Sequence, residues 1–579
     1  MKIKMKNKIF SLILLLAGIG FVSCESFLSQ EPENVYDLEM IKHPTYAQGV
    51  LFHAYSRMTT GYQYEDVATD NAVANDMTNN SNNYANFRRA ATGEWSPFFD
   101  PTNVWSSSYI AINNVNFFLT FNDEVEWSVQ FEERKEIFRK RYNAEARALL
   151  GYHYLRLLER YGGVASDNSL LGVPVTPGFI TSDENVNYPR PPFKVTIDEI
   201  YSDLDFAISE LPYIFENTDN THFNHVYNPA NNRGRINGQI AWALKVKAAL
   251  LDASPAYNGG VYDMSKAAFA AQVSGELLKK NGGIAALAPD HIFWDANNDN
   301  NNPDIMWRGN TASNRTIEQD NYPPTLYGSG RINPTQNLVD AFPMKNGYPI
   351  TSPESGYNPA NPYEGRDNRL RQNIFVNGDV LRNVVIITAS DGTESNALNR
   401  LPQYSTRTGY YLRKLLREDV NLNPSSQTSA NHFYTYIRWT EMYLAYAEAA
   451  NEAYGPDADP NSYGFTPREI IAAIRNRAGI DQPDEYLASL SGKEAMRELI
   501  RNERRLEFCF EGYRFWDIRR WSLPLNEPAR GVQITGEESN RTYRVIDVEA
   551  RAFQPYMIYC PIPNSEVIKY PELLQNKDW

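Results

Sequence analysis

Thr466-Pro467-Arg468-Glu469 puts a hydroxyl N-cap, a proline at the first helical position and a reciprocating glutamate ahead of an apolar stripe, Ile470, Ile471 and Ile474. That spelling starts a helix, because cap oxygen and glutamate satisfy backbone N–H groups that the first turn leaves orphaned. Gly479 supplies a stop. The same grammar recurs: Thr196 and Glu199 make a second capping box before Ile200, Leu204, Ile208 and Leu211, with Pro212 closing the segment. Further helices are predicted at about Tyr142 to Tyr161, Asn237 to Ala253 and Tyr436 to Ala453, and earlier at Tyr46 to Met58 and Val104 to Phe121. In the first of these, Ala144, Ala148 and Gly151 form a small-residue seam that lets a neighbouring helix approach closely. Such amphipathic segments, in adjacent antiparallel-looking pairs, are the unit of helical repeat arrays. Their spacing is irregular, so the repeat is degenerate, and the predicted fold class is mainly α.

From about Asn258 to Ala430 the grammar lapses. Pro, Gly and Asn accumulate, as in "FWDANNDNNNPDIMWRGN", and no helix is predicted. So much irregular backbone is usually functional surface. Asp295, Asn297 and Asp299 fit the opening of a calcium loop, but Asn300 replaces the required glycine and Met306 the closing glutamate, so a solvated turn is expected. Helices return after Tyr436. The expected organisation is a helical part over 24–255 interlocked with a second part over 256–579, the latter loop-rich over 256–435 and helical again over 436–579, as one globular unit.

Lys2, Lys4, Lys6 and Lys8 precede an apolar run from Ile9 to Val22 that ends at Ser23-Cys24. A basic start, a short apolar core and a small residue before a cut site describe a cleaved export signal over 1–23, too short for a comfortable membrane span of ~20 apolar residues. Cys24 directly after Ser23 resembles a bacterial lipoprotein box, in which that cysteine becomes the acylated N-terminus, although Phe21 stands where such boxes often have Leu. Multiple acyl chains would hold a soluble body at a membrane surface. Of the two remaining cysteines, Cys509 sits between Phe508 and Phe510 and is expected to be a buried free thiol. A bridge to Cys560 stays open, since spacing does not decide it. No C-x-x-C pair or Cys/His cluster suggests a metal, and no cofactor is implied.

"NERRLEFCFEGYRFWDIRRW", Asn502 to Trp521, packs nine charged side chains and six aromatic rings into twenty positions. A net charge of −14 argues against a nucleic-acid partner, and here five arginines meet four acids. Glu503 and Glu507 lie one helical turn apart and could resemble a glycosidase pair. Such acids need an open cleft and separated pKa values. Arg514, Arg519 and Arg520 follow closely enough to neutralise them, so the expected reading is a structural clamp of Glu503, Glu507, Arg514, Asp517, Arg519 and Arg520, with no catalytic residue.

The same stretch closely resembles the hallmark helix and turn of the SusD/RagB family, nutrient-binding outer-membrane lipoproteins of Bacteroidetes. "YNAEARALLGYHYLRLLERYGGV" is similar to that family's long N-terminal helix. "INPTQNLVDAF", "GRDNRLRQNIF" and "GYYLRKL" look like its central landmarks; "YIRWTEMYLAYAEAANEA", "IAAIRNRAGI" and "PIPNSEVIKYPELLQNKDW" resemble its later ones. The resemblance implies tetratricopeptide-like helix pairs topped by a loop-rich cap, an acylated Cys24 at the outer membrane facing outward, and no catalysis. It also implies a SusC-like TonB-dependent transporter as partner, to which a captured nutrient oligomer, usually a glycan, is passed.

The family's ligand-binding positions vary, so candidates come from the loops. Sugar rings offer apolar C–H faces and hydroxyl rims, which suit an aromatic platform edged by polar side chains. "NDMTNNSNNYANFRRAATGEWSPFF" contributes Asn79, Asn83, Tyr84, Trp95 and Phe98; "WRGNTASNRTIEQDNYPPTLYGSGR" contributes Arg308, Asn314, Arg315, Tyr322 and Tyr327. A peptide ligand remains the alternative, and a glycosidase using Glu503 with Glu507 a third.

Overall fold

The computed structural model describes residues 40–58, 64–76, 82–128, 130–181, 188–289 and 302–579. The stretch 1–23 read as an export signal, Cys24, Asn79 and the calcium-like run from Asp295 to Asn300 lie outside them. Among the described residues no helix is long and apolar enough to cross a membrane.

The longer helices are α1 (Pro44–Ser56), α2 (Asn83–Arg89), α3 (Trp105–Phe121), α4 (Glu132–Tyr161), α5 (Phe193–Glu210), α6 (Gly238–Ala253), α7 (Met264–Lys280), α8 (Trp439–Tyr454), α9 (Pro467–Arg477), α10 (Gly492–Phe508) and α11 (Tyr513–Arg520). Apart from the short α2 they pack in chain order. α1 meets α3, α3 meets α4, and the sequence continues through α5, α6 and α7 to α8, which takes α9 and α10 on its flanks. The predicted seam explains one step: a Cβ on Gly151 would lie 2.8 Å from Leu204 Cγ, so only a glycine lets α4 and α5 close to this distance.

Local chemistry accounts for the helix boundaries. The Thr466 capping box forms as read, and Asn237 Oδ1 accepts from Ile240 N to cap α6. The Thr196 box does not form. α5 begins a turn earlier, behind Pro192, and the Thr196 hydroxyl instead exchanges hydrogen bonds with the Val173 backbone. α8 starts at Trp439, not Tyr436, because Thr435–Arg438 pairs as a strand with Ile305–Arg308 and Asp304 takes over the capping of Thr440. The largest correction is α7. It lies in the stretch where no helix is predicted, is capped by Asp263, and joins the N-terminal helices to α8.

The strands are short and paired in twos; those of three residues or more are β1 (Ala72–Ala74), β2 (Ile305–Arg308), β3 (Ala312–Asn314), β4 (Ile332–Pro334), β5 (Ala430–His432), β6 (Thr435–Arg438), β7 (Ala529–Thr535) and β8 (Thr542–Glu549). The antiparallel β1–β4 pair, with Val73 opposite Asn333, stitches the N-terminal part to the loop-rich region. The largest apolar cluster runs from Ile41 through Met442 and Phe508 to Leu573, and a separate one with Tyr322, Phe375 and Tyr411 lies in the loop-rich region.

Candidate functional site

The acidic pair on α10 sits inside the protein. Glu503 and Glu507 are 0% and 3% exposed. Arg369 Nη1 donates to Glu503 at 2.9 Å and Glu507 at 3.0 Å, Arg475 donates to Glu503 at 2.7 Å, and Arg477 donates to Glu507 at 3.0 Å. The neutralising cations therefore come from distant landmarks, not from Arg514, Arg519 and Arg520 as expected. A short turn at Gly512, which adopts φ 82°, swings those three away. Arg514 forks onto Asp70 at 2.8 and 2.9 Å. Arg520 takes Glu448 and Asp517, while Arg504 also holds Asp517, at 2.7 Å. Arg519 donates to the Phe515 carbonyl and lies 4.8 Å from the centre of the Trp95 ring.

The electrostatics match. Burial works against the Glu448 charge, yet Arg520 and Trp521 bring that carboxyl down to about 2. Burial likewise opposes Asp70, and Arg505 with Arg514 overcome it, holding the carboxyl well below its usual range. Acids so committed cannot carry a proton to a substrate, and neither α10 glutamate faces a cleft. Cys509 and Cys560 are separate, buried free thiols that form no bridge, and burial pushes each up to about 12.

An exposed candidate surface forms where the two sequence loops meet. β1–β4 pairing brings residues 64–76 and 82–89 against residues 316–331. Asn75 N donates to Arg331 O at 3.1 Å and its side-chain amide to Ser329 O at 2.7 Å. Tyr84 Oη donates to Asp320 at 3.1 Å, and its ring stands edge-on to Tyr64. Asp76 pairs with Arg331 at 3.2 Å and accepts from Asn82. A third loop then joins: Arg331 donates to Gln403 O at 3.0 Å and its guanidinium lies 5.9 Å from the Tyr404 ring centre, while Thr325 and Asn396 exchange hydrogen bonds. On these adjoining loops Tyr327 is 58% and Tyr404 46% exposed. Asn83, Gln319 and Asp320 supply polar groups at their edge.

The candidates from sequence divide accordingly. Asn83 and Tyr327 are displayed on this surface, with Tyr84 buried behind it. Tyr322 is packed beneath, its hydroxyl donating to Arg417 O at 2.6 Å. Arg308, Asn314 and Arg315 lie along the β2–β6 and β3–β5 pairs, Arg308 buried over the Phe433 ring. Trp95 is not displayed. It packs on Phe515 and Trp579 and donates to Asp100, because a π-turn after α2 carries it into the core. Phe98, 81% exposed, lies on the turn beyond, whose Pro97 carbonyl accepts from Asn564. Tyr404 and Arg331 were not singled out from sequence. Arg331 closes the second quoted loop, and Tyr404 sits in an equally helix-free polar run, "LPQYSTRTGYY".

Comparison with known proteins adds independent information. The profile of the SusD family matches residues 289–579, and a second, described as starch-binding and associating with the outer membrane, matches residues 26–228. SusD-like protein P25 of Formosa agariphila is 28% identical over 172 residues, 29% of this chain and only 27% of that protein's length. A SusD-like protein of Bacteroides fragilis superposes with a TM-score of 0.71 at 23% identity, over 93% of this chain and 98% of that one. A SusD-like carbohydrate-binding protein of the same species gives 0.69 at 21%, over 91% and 98%. Surface glycan-binding protein A of Bacteroides uniformis gives 0.61 at 17%, over 92% and 99%. At these identities the structures bear on the fold alone, a mainly α SusD-like architecture. With the profile spanning half the sequence through α8 to α11 and the Arg369–Glu503–Glu507 cluster, the chain belongs to the SusD family.

Proposed function

We propose that this protein captures oligosaccharide or polysaccharide chains at the outer membrane and hands them, unaltered, to a SusC-like TonB-dependent transporter. The observation that carries the reading is the display of two exposed tyrosines, Tyr327 and Tyr404, on adjoining loops, Tyr404 beside the guanidinium of Arg331, which holds Gln403. Flat rings receive sugar C–H faces and the polar edge receives hydroxyls. The carbohydrate-binding relatives and the family's outer-membrane description support the ligand class and the location. The burial of Glu503 and Glu507 among four arginines, Arg369, Arg438, Arg475 and Arg477, supports capture without hydrolysis. Acylation at Cys24 would supply the anchor.

The test is a polysaccharide panel by affinity electrophoresis and calorimetry, run on the native chain and on Tyr327→Ala with Tyr404→Ala. Retention on at least one glycan, lost in the double variant at unchanged stability, supports the reading. Peptide binding with no saccharide retained, or shortening of a saccharide chain by the pure protein, overturns it. Co-purification with a barrel transporter from outer membranes tests the partner.

A further inference from the structure

β7 and β8 form a two-stranded ribbon, and hydrogen bonds on the other side of β7 fix which backbone groups of β8 face outward. Val532 N donates to Thr408 O and Ile534 O accepts from Ser390 N, both at 2.8 Å, so these two residues turn away from β8. The N–H and C=O of one strand residue point the same way, and that direction alternates along the strand. Gly531, Gln533 and Thr535 therefore bond their partners on β8, Ile546, Arg544 and Thr542. Tyr543, Val545 and Asp547 are left pointing out of the ladder, and among the described residues nothing bonds to their backbones.

Such an edge is a template for another extended chain, whose backbone alone offers donors and acceptors in this alternation. Its side chains are open as well. Val545, in the outward set, is 51% exposed. Arg544 is exposed and bonds Gln533 but no acid among the described residues, and exposed Asp547 bonds no cation there.

The strand is complementary to itself. A two-fold axis perpendicular to the ladder keeps every side chain on its own face, so the axis passes through a residue, and hydrogen bonding requires that residue to come from the outward set. Val545 is the middle member of that set. Antiparallel pairing about it sets Val545 against its own copy, Tyr543 against Asp547 and Arg544 against Ile546, with no like charges directly opposed. It also lays the half of each strand that carries Arg541 and Arg544 beside the half of the other that carries Asp547. We infer that β8 joins two copies of this chain by antiparallel strand addition about Val545, making one continuous sheet across the dimer. The contact is small, so its dissociation constant is expected on the order of 100 µM. It calls on neither the tyrosine surface nor a transporter.

Sedimentation equilibrium of the purified full chain, from well below that concentration to tenfold above it, is the test, and a monomer–dimer equilibrium is expected. Val545→Pro removes an outward N–H that β7 does not use, so it should weaken the dimer at least tenfold with thermal unfolding unchanged. Val545→Lys and Val545→Glu serve if the proline variant does not fold. Each opposes like charges on the axis and should be monomeric alone, while an equimolar mixture of the two should dimerise. A chain that stays monomeric throughout, a dimer indifferent to these substitutions, or a Lys and Glu mixture that stays monomeric overturns the inference. So does a chain that stays monomeric yet binds a synthetic peptide of residues 541–549, since the edge would then take a foreign strand in place of a second copy.

Discussion

Arg369 Nη1 bridges Glu503 Oε2 and Glu507 Oε1, at 2.9 and 3.0 Å, across 134 and 138 positions of sequence. One guanidinium thus ties the loop-rich region to two successive turns of α10, and its remaining donors go to Asp367 at 2.6 Å. The group is 1% exposed, so no water competes for these contacts.

Truncating that bridge is expected to be costly. Arg369→Met leaves Asp367, Glu503 and Glu507 short of a buried cation, and removing one partner of such a cluster costs about 3–5 kcal/mol. Glu503→Gln, which leaves Arg369 two other acids, should lose less. Urea unfolding midpoints check both; a loss below about 1 kcal/mol for Arg369→Met would mean that Arg438, Arg475 and Arg477 suffice without it.

Much of this was legible in the sequence, and the exceptions share a cause. Helices with local signals were legible: α9 was read from its capping box, which is made within a few residues, and α6 from its apolar pattern. The charge clustering around Glu503 was also visible, but its partners were not. Arg514 and Arg520 are near in sequence, whereas Arg369, Arg475 and Arg477 become neighbours only through tertiary packing. Trp95 illustrates the same limit for the site. Its polar loop context reads as surface, yet the turn at Gly93, with φ 113°, redirects it onto Trp579. Tyr404 was missed because a lone tyrosine in a polar run carries no periodicity to mark it.

Trp95 should therefore behave as a core residue. Trp95→Ala removes contacts to Phe515, Trp579 and Arg519 and leaves a cavity, for which about 3–5 kcal/mol is the expected loss. Polysaccharide retention measured on the fraction that remains folded should be unchanged. A variant of native stability that no longer binds glycan would return Trp95 to the ligand surface.

Stability should depend on pH through Glu65 and Asp203. Burial pushes Glu65 from 4.5 and Asp203 from 3.8 up to about 7 each, against the pull of Arg160 and Arg147 respectively. Between the unfolded and folded values the folded chain keeps a proton that the unfolded chain has released. Stability therefore falls as pH rises from about 4.5 to 7, by at most about 1.4 kcal/mol per pH unit for each group. Glu448 acts in the opposite sense but below this window, its contribution fading as pH drops toward 2. Glu65→Gln and Asp203→Asn should each flatten the profile of urea midpoint against pH. An unchanged slope in the double variant would contradict the assignment.

Gly330 places the Tyr404 loop, and its replacement separates display of the ligand surface from integrity of the core. Its φ of +55° is a conformation that side chains rarely adopt, and an added Cβ would lie 2.4 Å from the Tyr404 carbonyl oxygen and 2.8 Å from the Tyr411 ring. Tyr411 cannot yield, being fully buried with its hydroxyl bonded to Asn396 O at 3.0 Å. The strain therefore falls on Tyr404 and on the Arg331 contact to Gln403 beside it. Gly330→Ala is expected to cost about 1–3 kcal/mol and to weaken polysaccharide retention about as much as Tyr404→Ala. Gly260→Ala is the control: at φ +90° it carries comparable backbone strain, but no atom lies within 4 Å of the added methyl. Equal stability losses with retention lowered only in Gly330→Ala would tie capture to the position of the Tyr404 loop. Retention unaffected in Gly330→Ala would detach that loop from ligand binding.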